Sequence, residues 1–205
     1  MSTEEQNNVS VNLQRRKILT GATGVVGAAG ATFLAVPFVS SWQPSEKAKA
    51  AGAPVNADIS QLQLGQMLTV AWRGKPVWVV RRTSDMLGGL APLDGQLRDP
   101  ASLESIQPKY CQNPTRAIKD EYLVVVGICT HLGCAPLYRP AIGSPDVGAD
   151  WQGGFFCPCH GSRFDLAGRV FQSVPAPTNL VIPPHHFLTD YLIRIGEGPA
   201  EGGVA

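Results

Sequence analysis

The longest feature in the hydropathy pattern is a run from Ile18 to Ser41, 24 residues without a charged side chain. A helix of that length spans a hydrocarbon core of about 30 Å with some tilt, so one transmembrane helix is predicted over residues 18–41. Beyond it the pattern shortens. Residues 68–72 and 77–81 are β-branched and aromatic runs joined by Arg73-Gly-Lys-Pro76, which reads as a hairpin. Residues 83–119 are irregular, with one short helix expected. Residues 122–128 form a strongly apolar strand, and 154–156 form another. Residues 162–165 and 169–171 flank a Leu-Ala-Gly turn as a second hairpin, and 180–182 and 191–195 close the series. Short strands at this spacing predict a mostly β protein, an antiparallel sandwich or small barrel.

Composition sharpens this picture. Glycine (22) and proline (17) are abundant enough to favour short strands and many turns over a helical bundle. The net charge of +1, without a basic stripe interleaved with aromatics, excludes a nucleic-acid binder. Positive residues beside a span stay on the cytoplasmic side. Arg15-Arg16-Lys17 therefore places residues 1–17 in the cytoplasm and the chain after residue 41 across the membrane. The arginine pair before a Gly- and Ala-rich stretch resembles a twin-arginine export signal, a route that carries folded proteins; an ordinary signal anchor is the alternative. The length of the apolar run favours a retained anchor over cleavage near Ala48-Lys49-Ala50. Glycines at 21, 24, 27 and 30 either allow close helix approach or reflect a glycine-rich signal. Residues 42–56 are small, polar and Pro/Gly-punctuated, a flexible hinge; 57–198 form the β domain and 199–205 a tail.

The chemistry concentrates in two segments, CTHLGC at 129–134 and CPCHGS at 157–162. In each a strand ends in Cys, a His follows, then a Gly able to turn the backbone tightly. The two segments offer six candidate ligands, too many for one tetrahedral ion. A zinc site would leave two thiols idle, and Cys129-Thr-His131 spaces its ligands more tightly than paired zinc ligands usually are. A two-iron centre accounts for the set better. Cys111 stands apart and is expected to be a part-buried thiol; His185 and His186, after two prolines, are expected in a surface turn. Arg163 and Asp165 are expected to stabilise the local turn.

The two boxes resemble those of the Rieske iron–sulfur proteins, and with anchor and hinge the chain resembles the Rieske subunits of proteobacterial cytochrome bc1 complexes. The resemblance extends to 175–180, Pro-Ala-Pro-Thr-Asn-Leu, which is similar to the family's proline loop. It implies a Rieske-type antiparallel sandwich with a cluster-binding subdomain and one [2Fe–2S] cluster. Cys129 and Cys157 would ligate one iron and His131 and His160 the other, with Cys134 and Cys159 joined as a disulfide. It also implies a catalytic subunit of ubiquinol–cytochrome c reductase in the bacterial inner membrane, its head in the periplasm. Its partners would be cytochrome b, cytochrome c1 and quinol, in a complex that is dimeric. His160, then His131, would contact quinol; Ser162, Leu132, Gly133 and Pro175 would tune the cluster. Two positions depart from the family pattern. Phe164 stands where high-potential members often carry Tyr, which implies a lower potential. Val174 stands where the proline loop usually begins with Gly. Soluble Rieske ferredoxins lack the extra cysteine pair; arsenite-oxidase small subunits and b6f-type subunits are nearer relatives of the same pattern.

Overall fold

The computed structural model of the chain describes residues 13–199, so the ends of the expected tails, 1–12 and 200–205, lie outside the described residues. The chain divides into two compact units, residues 1–49 and 50–205. In the first, α1 (Leu13–Ser41) is long and apolar enough to cross a membrane, and none of it is buried. Its hydroxyls are satisfied within the helix: Thr20 donates to the Arg16 carbonyl, Thr23 to Leu19 and Thr32 to Ala28. That is what an apolar solvent demands of a polar side chain. Inside the expected hinge, α2 (Glu46–Gly52) is helical, with Ala48 N–H donating to Ser45 Oγ near its start.

The head contains three three-stranded antiparallel sheets, ordered β1-β9-β8, β2-β3-β4 and β5-β6-β7. The strands are β1 (Val55–Asp58), β2 (Met67–Trp72), β3 (Lys75–Arg81), β4 (Tyr122–Val126), β5 (Leu137–Arg139), β6 (Gly154–Cys157), β7 (Ser162–Phe164), β8 (His185–Thr189) and β9 (Leu192–Ile195). The β2–β3 turn is tighter than expected. Arg73 and Gly74 both take positive φ, 51° and 70°, so a two-residue turn suffices and Lys75-Pro76 joins the strand.

The apolar runs of β3 and β4 show no polar alternation because both faces are covered. Trp78 and Val80, beside Val125 and Leu123, face one core with Phe155, Phe164 and Leu180. Val77 and Val79, beside Val126 and Val124, face the other with Ile193, Ile195 and Ala57. The β3–β4 pair is thus the wall between the base sheet and the cluster subdomain.

Several expectations change. Residues 180–182 form no strand, because their bonds go to two different neighbours: the Val181 carbonyl accepts from Val126 N, and Ile182 N donates to the Ile106 carbonyl. Residues 169–171 return as isolated bridges at Val170 and Phe171. β1 begins at Val55, inside the expected hinge. His185 is not in a surface turn: it opens β8 and is fully buried, since β9 pairs there. Cys111 is fully buried in the core. Arg163 reaches the Val147 carbonyl and Asp150 rather than its own turn. The 165–169 turn is held by Asp165, which accepts from Ala167 N, Arg169 N and Arg169 Nε at 2.7–2.9 Å.

Three arginines buried to within 1% of full coverage tie the irregular segment 83–119 to this turn. Arg82 donates to the carbonyls of Thr115, Asp120 and Leu166. Arg116 donates to those of Ala167, Gly168 and Leu180. Arg169 bridges Asp165 to Asp94 and the Leu90 carbonyl. Burial pushes the Arg82 and Arg116 guanidinium groups down to about 10, still charged at neutral pH.

Candidate metal centre

Each box folds as the same turn. The Cys129 carbonyl accepts from Gly133 N at 3.1 Å, and the Cys157 carbonyl from Gly161 N at 2.9 Å. Both are bonds to the residue four positions on. Gly133 and Gly161 take φ of 84° and 76°, the left-handed conformation that glycine adopts without strain. Between Cys and Gly, the histidine is carried outward.

The strands beneath aim the turns. Gly127 lies between β4 and Cys129, and a Cβ there would overlap the Trp78 ring. Trp78 in turn stacks on Phe155 of β6, with centroids 5.3 Å apart and an interplanar angle of 15°. The same ring therefore supports the approach to both boxes. Gly154 allows β6 and β7 to run close, since any Cβ would strike the Phe164 carbonyl.

The result is a graded centre. Cys129 and Cys157 are buried free thiols at its floor, each 2% exposed. Burial pushes the Cys129 thiol up; hydrogen bonds from His131 N–H and the Ser162 hydroxyl act against this. His131 and His160 lie above, edge to face, with ring centroids 4.8 Å apart. His131 is half-buried and His160 exposed. Cys134 and Cys159 form a disulfide that joins the two turns. The Cys157 sulfur lies within 4.8 Å of both bridged sulfurs.

Two soft sulfurs inside and two imidazoles outside form a donor set that fits an Fe–S group. Thiols held in a low-dielectric floor without a disulfide between them gain most from a cation that takes them as thiolates. The structure thus brings together every residue the two boxes offered. Leu132, expected to tune the cluster, is 71% exposed. Pro175 is also exposed, while Phe164 is fully buried in the floor. Val174 does not need the conformation of a glycine, because the positive φ falls one residue earlier, on Ser173 at 57°.

Some participants carried no sequence signal. Thr130 donates to the Thr178 carbonyl at 2.7 Å, fastening the first box to the proline segment. Ala176 N donates to Ser162 Oγ at 3.1 Å, fastening the second. A threonine inside the box and an alanine amide look the same whether or not they make these bonds.

The matched turns, disulfide clasp and inner-thiol, outer-imidazole arrangement define a Rieske centre, and the family model described as "Rieske [2Fe-2S] domain" matches residues 53–185. The Rieske [2Fe–2S] cluster is therefore this domain's cofactor. A second model, "Ubiquitinol-cytochrome C reductase Fe-S subunit TAT signal", matches residues 5–45. The chain belongs to the family of ubiquinol–cytochrome c reductase iron–sulfur subunits. It is 63% identical to that subunit of Allochromatium vinosum, over 91% of this chain and 90% of the relative. It is 44% identical to that of Blastochloris viridis, over 91% and 94%. A chain of a solved hyperthermophilic respiratory Complex III aligns at 29% identity and TM-score 0.46, over 86% of this chain and 98% of that one.

Proposed function

We propose that this chain takes one electron from ubiquinol bound at a cytochrome b partner and passes it to cytochrome c1. In this reading Cys129 and Cys157 would hold one iron and His131 and His160 the other. The observation that carries the reading is the exposure gradient, with thiols buried and His160 exposed at the tip. When bound, the cluster supplies a one-electron acceptor, and histidine ligation places such centres at roughly −150 to +300 mV, against about −400 mV for plant-type ferredoxins. The exposed imidazole of His160 meets the quinol hydroxyl and takes its proton at the outward ring nitrogen. His131, half-buried, orients the pair. Ser162, fully buried at the floor, would donate to a cluster sulfur, and hydrogen bonds to cluster sulfurs raise the potential. The disulfide holds the two turns at fixed separation, and it persists on the oxidising side of a membrane.

The anchor and hinge supply delivery. Residues 13–41 form the membrane helix, and Arg15-Arg16-Lys17 keeps its start in the cytoplasm, with the head in the periplasm. At seven residues, α2 is too short to be stable alone, so this segment can exchange helix for coil as the head moves between donor and acceptor.

The test is purification from membranes with mild detergent. Co-purification with b- and c-type haem, a Rieske-type EPR signal on reduction and quinol oxidation blocked by quinone-site inhibitors are expected. An EPR-silent chain carrying zinc overturns the cluster assignment. Unimpaired quinol oxidation in a His160→Ala variant that retains the cluster overturns the role of His160.

A further inference from the structure

The proline segment 174–180 is fastened over the two boxes by polar groups, and its hub is Asn179, which is fully buried. The side-chain amide donates to the Asp99 carbonyl at 2.9 Å and to Ser102 Oγ at 2.8 Å. Its oxygen accepts from Val170 N at 2.8 Å. Its backbone N–H donates to Ser105 Oγ at 3.1 Å, and that hydroxyl donates to Asp99 Oδ2 at 2.7 Å. One residue therefore locks the segment to the irregular loop on one side and to the 165–171 return on the other. Three residues earlier, Ala176 N–H points at Ser162 Oγ.

A serine hydroxyl has one hydrogen, two lone pairs and a free rotor. The Ala176 N–H occupies a lone pair of Ser162, so the hydroxyl hydrogen must point elsewhere. Ser162 is fully buried and pairs in register with Cys157, which sets its hydroxyl at the floor of the centre, among the cysteine sulfurs. The direction of the hydroxyl thus depends on where the Ala176 amide stands, and the amide stands where Asn179 and its partners hold the segment.

We propose that Asn179 is a positioning residue for electron transfer: by fixing the proline segment it orients the Ser162 hydroxyl, through the Ala176 amide, toward the sulfurs at the floor of the centre. The role is distinct from covering the centre. It rests on the assignment of Cys129 as a ligand, and it makes a demand that simple stabilisation does not. Asn179 and Ser162 must act on the potential as one unit.

The experiment is a double-mutant cycle on the cluster-loaded full chain in membranes, with Asn179→Ala, Ser162→Ala and the pair. The midpoint potential is read by EPR-monitored redox titration. Asn179→Ala is expected to lower the midpoint in the presence of Ser162 and to cause no further shift in the Ser162→Ala background. An equal shift in both backgrounds, or no shift in either, overturns the proposal. Should Asn179→Ala fail to retain the cluster, Ser105→Ala replaces it in the same cycle with the same two outcomes, since it removes the acceptor of the Asn179 backbone N–H and that hydroxyl's bond to Asp99 while leaving the Asn179 side chain in place. A missing Rieske signal in the unmodified chain overturns the ligand assignment instead, so the two failures are distinguishable.

Discussion

Replacing Arg116 with Met tests whether the buried guanidinium groups hold the cluster subdomain together. The variant keeps an unbranched stem of similar length in a fully buried site, and it keeps the left-handed backbone at φ 52°. What it deletes is four donated hydrogen bonds, to Gln107 Oε1 and to the carbonyls of Ala167, Gly168 and Leu180, at 2.8–3.1 Å. The Gly168 carbonyl retains Leu180 N as a donor. The buried carbonyls of Ala167 and Leu180 are left without this donor, at about 1–3 kcal/mol each. Relief from burying a charge offsets part of that cost, which leaves about 3 kcal/mol. For a head of about 150 residues, each kcal/mol moves the midpoint by roughly 2–4 °C, so a fall of about 6–12 °C is expected. The assay is thermal melting of the purified chain in detergent, followed by far-UV circular dichroism at one scan rate. Arg116→Lys should fall in between, because one ammonium cannot serve carbonyls from two segments as a planar fork does. A loss below about 1 kcal/mol for Arg116→Met would refute the reasoning and move the weight to the apolar core.

Phe164→Tyr should raise the midpoint potential, because the new hydroxyl lies in the floor with Cys129 and Cys157; a redox titration showing no rise sinks this. His185 should make the head less stable between pH 6.5 and about pH 4: burial depresses its pKa from 6.5 to about 4, so the unfolded chain takes up the proton first. Stability rises with pH across that window by about 3 kcal/mol, a slope that His185→Gln should remove from the denaturation profile. Replacing Cys134 and Cys159 together with Ser opens a loop of sequence separation 25, which should cost about 3–4 kcal/mol and shorten the half-life of the cluster's visible absorption on warming. Prolines placed through residues 46–52 would abolish α2 and stiffen the connection; turnover of the complex should slow while the EPR signal stays unchanged.

The sequence by itself determined the features that are local. The uncharged run dictated a helix long and apolar enough to cross a membrane, because every residue of it meets the same apolar demand. The boxes dictated their own turns, because Cys, His and Gly lie within five residues and the turn closes between Cys129 and Gly133, and between Cys157 and Gly161. The hairpin of β2 and β3 was legible from its turn residues. Tertiary structure decided what depends on pairing across the chain. His185 looked like a loop residue until β9 covered it. Arg82, Arg116 and Arg169 carry no sequence signal of their own, yet each is buried against carbonyls up to 84 residues away. Asn179 sat in a recognisable proline segment without any sign that its amide reaches Asp99 and Ser102, some 80 residues earlier. Such bonds satisfy backbone groups that are orphaned only once the segments have packed, so no local spacing encodes them. The sequence supplied the cysteines and histidines of the two boxes; the packing of the segments around them decided how firmly the centre is held and where its hydrogen bonds point.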